Sequence, residues 1–188
     1  MLRNNKGFSL MELLAVVFIT SFIIWPLTTN LIKNIEINSL LHDRRSAASI
    51  ADGTMYGLNK IDFTDLFSKV ETANNTGSYY IELNEDTCST LDSTGDQALC
   101  DQIFASIWNN LTLDSSRYRV FIYDYNLPQS SIDSLYGNDV IPLEVRNEIN
   151  NITASTTPNS NLLRVMVWIE YCDDPVSNTI LGGLLFND

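Results

Sequence analysis

From Phe8 to Leu27 the sequence runs FSLMELLAVVFITSFIIWPL, a stretch of twenty residues with a single charge, Glu12. As an α-helix rising 1.5 Å per residue it reaches about 30 Å, the thickness of a bilayer's hydrocarbon core. A run of this kind is unsuited to the surface of a water-soluble domain. It needs lipid around it, or the apolar surfaces of other chains. Arg3 and Lys6 precede it with no acidic residue between them. The bias of basic residues toward the inner side therefore keeps this end in the cytoplasm and sends the rest outward. A cleaved secretory signal would carry a shorter apolar core followed by small residues, whereas this run closes on Trp25-Pro26 with no A-x-A pattern behind it.

Glu12 is the residue that the run must explain. A carboxylate inside a bilayer helix costs roughly 2.5–3.5 kcal/mol on insertion scales unless it finds a partner. Two readings are open. Glu12 is only the fifth residue of the run, so it can reach water at the cytoplasmic face. Alternatively it waits for a cation or a hydrogen-bond donor, which makes it functional.

The residues around it, Gly7-Phe8-Ser9-Leu10-Met11-Glu12, closely resemble the processing signal of type IV prepilins and pseudopilins. That resemblance implies a role for each position. A prepilin peptidase/methyltransferase would cut after Gly7, and Phe8 would become the N-methylated first residue. Glu12 would pair with the terminal ammonium of a neighbouring subunit during filament assembly, so that each buried charge is the other's counter-ion. The implied partners are other pilin or pseudopilin subunits, the peptidase, an inner-membrane assembly platform and, before assembly, membrane lipid.

After Leu27 the pattern turns amphipathic, with Leu31, Ile35, Leu41, Ala48, Ala51 and Met55 at roughly helical spacing. The spacing predicts one helix over about 8–56, ending near Gly53 and Gly57. Pro26 lies inside it, removes one helical hydrogen bond and is expected to kink or weaken the helix. In the family a proline here accompanies local melting on filament entry; a passive kink is the plain alternative. His42, Arg44 and Arg45 form a small basic cluster that reads either as a solvated face or as a contact for lipid headgroups or an acidic neighbour.

The remainder reads as α+β. Arg117–Tyr125 is rich in aromatic and β-branched residues, and Leu163–Tyr171 alternates strictly, so both are expected strands. Tyr79–Leu83 and Thr179–Phe186 are weaker strand candidates. Asp96–Leu111 reads as a short helix, and 126–161, with three prolines and many Ser and Asn, reads mostly as loop. A long N-terminal helix followed by a small antiparallel sheet is the pilin architecture, and the two late strands loosely resemble V-type minor pilins and I-type pseudopilins.

Of the formal charge of -12, residues 1–60 contribute six basic and four acidic groups and residues 61–188 five basic and nineteen acidic groups. An acidic body repels a polyanion, so general binding of nucleic acid is disfavoured. A local patch of Arg117, Arg119 and Arg164 on one sheet face is the exception to test. Cys88 and Cys100 bracket an eleven-residue loop and are the first choice for a disulfide, with pairing of either to Cys172 as the alternative. Closing a loop of that size contributes about 3 kcal/mol. No zinc spacing appears, and although Asp86, Asp92, Asp96 and Asp101 crowd the loop, they do not follow a calcium-loop pattern. No catalytic motif and no cofactor motif is present, so neither an enzymatic role nor a metal is expected.

The expected organisation is a leader over 1–7, a transmembrane and assembly helix over 8–27, its amphipathic continuation over 28–57 and an acidic head over 58–188 outside the membrane. The expected function is that of a minor pilin-like subunit of a type IV pilus or related filament. A pseudopilin of a type II protein secretion system is the alternative, and an adhesive or DNA-uptake filament a further one.

Overall fold

In the computed structural model the described residues are 9–104, 107–108, 111–112, 117–154, 161–171 and 178–186. The chain divides between Asp43 and Arg44 into two compact units. The first helix, α1 (Leu10–Leu58), begins in the first unit and contributes its last turns to the second. In the first unit every residue from Leu10 to His42 is exposed. Pro26 sits within α1, and the helix continues through it.

The second unit is built around a sheet. After α1 come α2 (Phe63–Thr76), β1 (Ile81–Leu83), a 3-10 turn (Cys88–Thr90), α3 (Thr94–Ile103), the short strands β2 (Ile107–Trp108) and β3 (Leu111–Thr112), β4 (Tyr118–Asp124), α4 (Gln129–Tyr136), α5 (Leu143–Asn150), β5 (Leu162–Glu170) and β6 (Asn178–Phe186). The main sheet has the order β1-β4-β5-β6 with every pair antiparallel, and β2 and β3 pair separately. A long N-terminal helix followed by a small four-stranded antiparallel sheet is a pilin-like α+β arrangement.

Alternation along the strands sorts the apolar residues onto two faces. Val120 and Ile122 of β4 and Leu163, Val165, Val167 and Ile169 of β5 share one core with Ala47, Ile50, Ala51 and Leu58 of α1 and Leu66 and Val70 of α2. Phe121, Tyr123, Met166 and Trp168 share the other with Ile132 and Leu135 of α4 and Val145 and Ile149 of α5. The central strands β4 and β5 are therefore covered on both sides. That corrects the expectation of loop over 126–161. Pro128 and Pro142 stand at the N-caps of α4 and α5, where a proline's missing N–H costs nothing.

The expected helix over Asp96–Leu111 is shorter. α3 begins at Thr94, where the Ser93 side chain accepts from the Asp96 N–H, and ends at Ile103, with Ile107–Trp108 and Leu111–Thr112 paired as strands. Apolar spacing at three and four does not separate a helix from a helix followed by a tight hairpin. α2 has clear ends: the Asp62 carboxylate accepts from the Thr64 N–H at 2.8 Å, and Gly77 closes it at φ 82.

α1 outruns Gly57, and the glycine serves packing there. A Cβ on Gly57 would lie 2.6 Å from Ile103 Cγ1, so its absence lets α3 approach. Cys88 and Cys100 are joined by a disulfide with a Cα–Cα distance of 5.3 Å, tying the 3-10 turn to α3 inside the first core. Cys172 lies outside the described residues. The acidic loop residues are engaged locally. Asp92 is bonded to Lys69 at 2.6 Å, and that bond holds its carboxyl below the usual range. Asp65 Oδ2 accepts from the Asp92 N–H at 3.0 Å, and Asp96 Oδ1 from the Asp62 N–H at 3.4 Å.

Candidate functional site

The candidate site is the start of α1. Gly7 and Phe8 lie outside the described residues. Ser9 immediately precedes the helix, and its carbonyl accepts from the Leu13 N–H at 3.1 Å. Glu12 Oε2 accepts from the Ser9 N–H at 3.4 Å. This is one half of a capping box, in which a glutamate at the third helical position reaches back to the entering amide. The carboxylate also stands at the positive end of the helix dipole. Glu12 thus occupies a place in the helix where a negative charge is well tolerated.

Beyond Glu12, the span carries only groups compatible with an apolar surrounding. Its hydroxyls turn back onto their own helix. Thr20 Oγ1 donates toward the carbonyls of Val16 and Val17, Ser21 Oγ to Val17, Thr28 Oγ1 to Ile24 and Thr29 Oγ1 toward Trp25 and Pro26. Bonds of this kind satisfy a hydroxyl without water. An 18-residue window of α1 has a mean hydropathy of 2.2, and α1 is the one helix among the described residues long and apolar enough to cross a membrane.

One face was not evident from the general apolarity of the run. Phe18, Phe22 and Trp25 recur at i, i+4 and i+7, with the two phenyl centroids 5.7 Å apart. Together with Ser21 and Pro26 they outline a shallow apolar recess. The spacing itself was the available signal. Pro26 removes the donor that the Phe22 carbonyl would otherwise meet, so the backbone is weakest where this recess lies.

The other singled-out residues are placed as follows. His42 Nδ1 lies 3.7 Å from Asp43 Oδ1 at an exposed position, and Arg44 and Arg45 are exposed. Arg119 and Arg164 do share a sheet face, since Arg119 stands opposite Trp168 and Tyr123 opposite Arg164. Both are committed. Arg119 makes two bonds of 2.7 Å to the Glu82 carboxylate and one of 3.1 Å to the Val140 carbonyl. Arg164 Nε donates to the Tyr125 carbonyl, and its guanidinium lies 4.3 Å over the Tyr125 ring. Arg117 is likewise engaged. Among the described residues no group of three or more His, Cys, Asp or Glu is placed to hold a metal ion.

No curated protein and no solved structure matches the chain. Residues 2–28 match the family model described as the prokaryotic N-terminal methylation motif. That motif belongs to structural, non-enzymatic, pilin-like proteins that assemble with further subunits after prepilin peptidase processing, and the long apolar helix fits a membrane anchor. The chain therefore carries a type IV prepilin-like signal at the head of a pilin-like α+β fold.

Proposed function

We propose that the protein is a minor pilin-like subunit of a type IV pilus or related filament. It is held first in the inner membrane with its N-terminus in the cytoplasm and its acidic head outside. The observation that carries this reading is the first unit: a helix exposed from Leu10 to His42, with Glu12 the only charge in its first twenty residues. Such a surface calls for lipid or for the equivalent helices of neighbouring subunits. Cleavage between Gly7 and Phe8 and methylation of Phe8 would place a terminal ammonium close to Glu12's level on an adjacent helix. Pairing across helices then satisfies both charges and sets the axial register. Pro26 would lower the cost of opening the helix locally on entry into the filament.

Two measurements test this. Mass spectrometry of the mature protein should find methylated Phe8 at its start; a chain beginning at Met1 or well beyond Pro26 overturns the reading. Glu12→Ala should leave insertion and cleavage intact while reducing filament incorporation at least tenfold. Incorporation at the normal level would refute the pairing. The second reading, a pseudopilin of a type II secretion system, shares the anchor and Glu12. It is favoured if deletion blocks export of secreted proteins and leaves piliation intact.

A further inference from the structure

From Phe8 to Leu41 the chain carries three charged side chains: Glu12, Lys33 and Glu36. Cleavage after Gly7 adds the ammonium of Phe8, so the stretch then holds two cations and two carboxylates. Glu12 and the terminal ammonium are already proposed as partners, which leaves Lys33 and Glu36. Both are exposed, and among the described residues neither side chain makes an ion pair or a hydrogen bond. They are neighbours at i, i+3 on one helix, but with the lysine first, the less favourable order for pairing within a helix.

Their surroundings are apolar. Leu31, Ile32, Ile35 and Ile37 are each more than half exposed. The run that matches a hydrocarbon core ends at Leu27. At 1.5 Å per residue, Ile35 and Ile37 stand about 12 and 15 Å farther along the helix. The headgroup layer adds only about 5–7 Å on each side of a bilayer, so acyl chains do not reach this segment. Its cover has to be protein.

We infer, and this rests on the filament reading above, that Lys33 of one copy of this chain pairs with Glu36 of the next, in the same axial register that joins Phe8 to Glu12. The spacing carries the inference. Phe8 precedes Glu12 by four residues and Lys33 precedes Glu36 by three, about 6 and 4.5 Å along the axis. Sliding one parallel copy along another by about 5–6 Å therefore levels both cations with both carboxylates at once. The terminal ammonium lies at the end of the rod and can be met from any side, so only Lys33 and Glu36 have to face each other. A foreign helix would need its carboxylates at the separation of Glu12 and Glu36 to do the same, whereas a second copy has them by construction. Set among apolar side chains, the pair is weakly screened, and reversing one charge puts two like charges in contact.

The test expresses tagged full-length chains in cells lacking their own copy and measures the amount in sheared filaments, with membrane insertion and cleavage as controls. Lys33→Glu and Glu36→Lys should each lower incorporation at least fivefold and leave both controls unchanged. The exchange variant Lys33→Glu/Glu36→Lys should return to within twofold of the natural chain. The two single variants, co-expressed with different tags, should rescue each other, which a pair within one chain would not allow. Normal incorporation of either single variant overturns the inference. So does rescue by the exchange variant without rescue by co-expression, which marks a pair within one chain. Rescue by neither overturns it as well, and makes the neighbour a different subunit. Absence of the natural chain from filaments defeats the filament reading itself. If the natural chain enters, Glu12→Ala does not, and the single variants at Lys33 and Glu36 enter normally, the second pair alone fails.

Discussion

The two units of this chain are both rich in apolar side chains and treat them in opposite ways. Between Leu10 and His42 no side chain is buried, and large apolar residues such as Phe22 and Trp25 are 74% and 76% exposed. In the second unit the central strands β4 and β5 are buried on both faces, and Leu58, Leu66, Val120, Val145 and Leu163 have no accessible surface at all. The difference is one of where the partner lies. The head is stabilised by its own chain, whereas the helix before it finds no such cover among the described residues. A mutation in one unit should therefore be read out by a different assay from a mutation in the other.

The largest effect that would sharpen this contrast is Leu58→Ala, which empties a fully buried position in the α1-side core. It should lower head stability by about 2–5 kcal/mol in chemical denaturation, with membrane insertion unchanged. The double variant Cys88→Ala/Cys100→Ala opens a disulfide spanning 12 residues of sequence and should cost the head about 3 kcal/mol, again without effect on the anchor.

An alkaline titration gives the next effect. Burial pushes the Tyr118 hydroxyl up to about 12 from its ordinary 10, and burial pushes Tyr123 up as well. A phenol whose folded pKa is raised favours the fold while neutral. That contribution is fully present below pH 10 and is lost as pH climbs through 12. For Tyr118 it amounts to about 2–3 kcal/mol, so the head should begin to unfold between these values when followed by circular dichroism. Tyr118→Phe should flatten the pH dependence in this window, although it also removes the hydrogen bond between Tyr118 and Thr54. The smallest effect is expected for Leu14→Ala in the first unit. It should shift the head's melting by less than about 0.5 kcal/mol, while weakening retention in membranes or filaments. A large loss of head stability from this variant would break the contrast outright.

How much of this was legible depended on how loudly each segment states its period. β5 alternates without a fault from Leu163 to Tyr171, and its nine residues in the fold, Leu162–Glu170, sit within one residue of that reading at each end. α1 announces itself by length. α4 and α5 escaped because each is only eight residues long and shows two apolar contacts: Ile132 and Leu135 in one, Val145 and Ile149 in the other. Their prolines look like loop punctuation unless read as helix starts. α2 escaped although Asp62 and Gly77 mark both its ends, because its inward stripe is little more than Leu66 and Val70. At the candidate site, Glu12 stood out by being a lone charge. Its bond to the Ser9 amide needs the helix start to be known, and the aromatic face of Phe18, Phe22 and Trp25 is hidden in a run where every neighbour is apolar too.

The hydroxyls of Thr20, Ser21, Thr28 and Thr29, each returned to a carbonyl of its own helix, have a consequence for traffic. A segment whose polar atoms are settled internally can exchange one greasy neighbourhood for another without breaking a hydrogen bond. Moving from fatty acyl chains to the flanks of sister helices then trades only dispersion contacts of similar strength. If the proposed passage from membrane to filament takes place, the one charged group of this span whose company would change is the carboxylate of Glu12. The passage would then reduce to a single electrostatic handover at one end of a chemically indifferent helix.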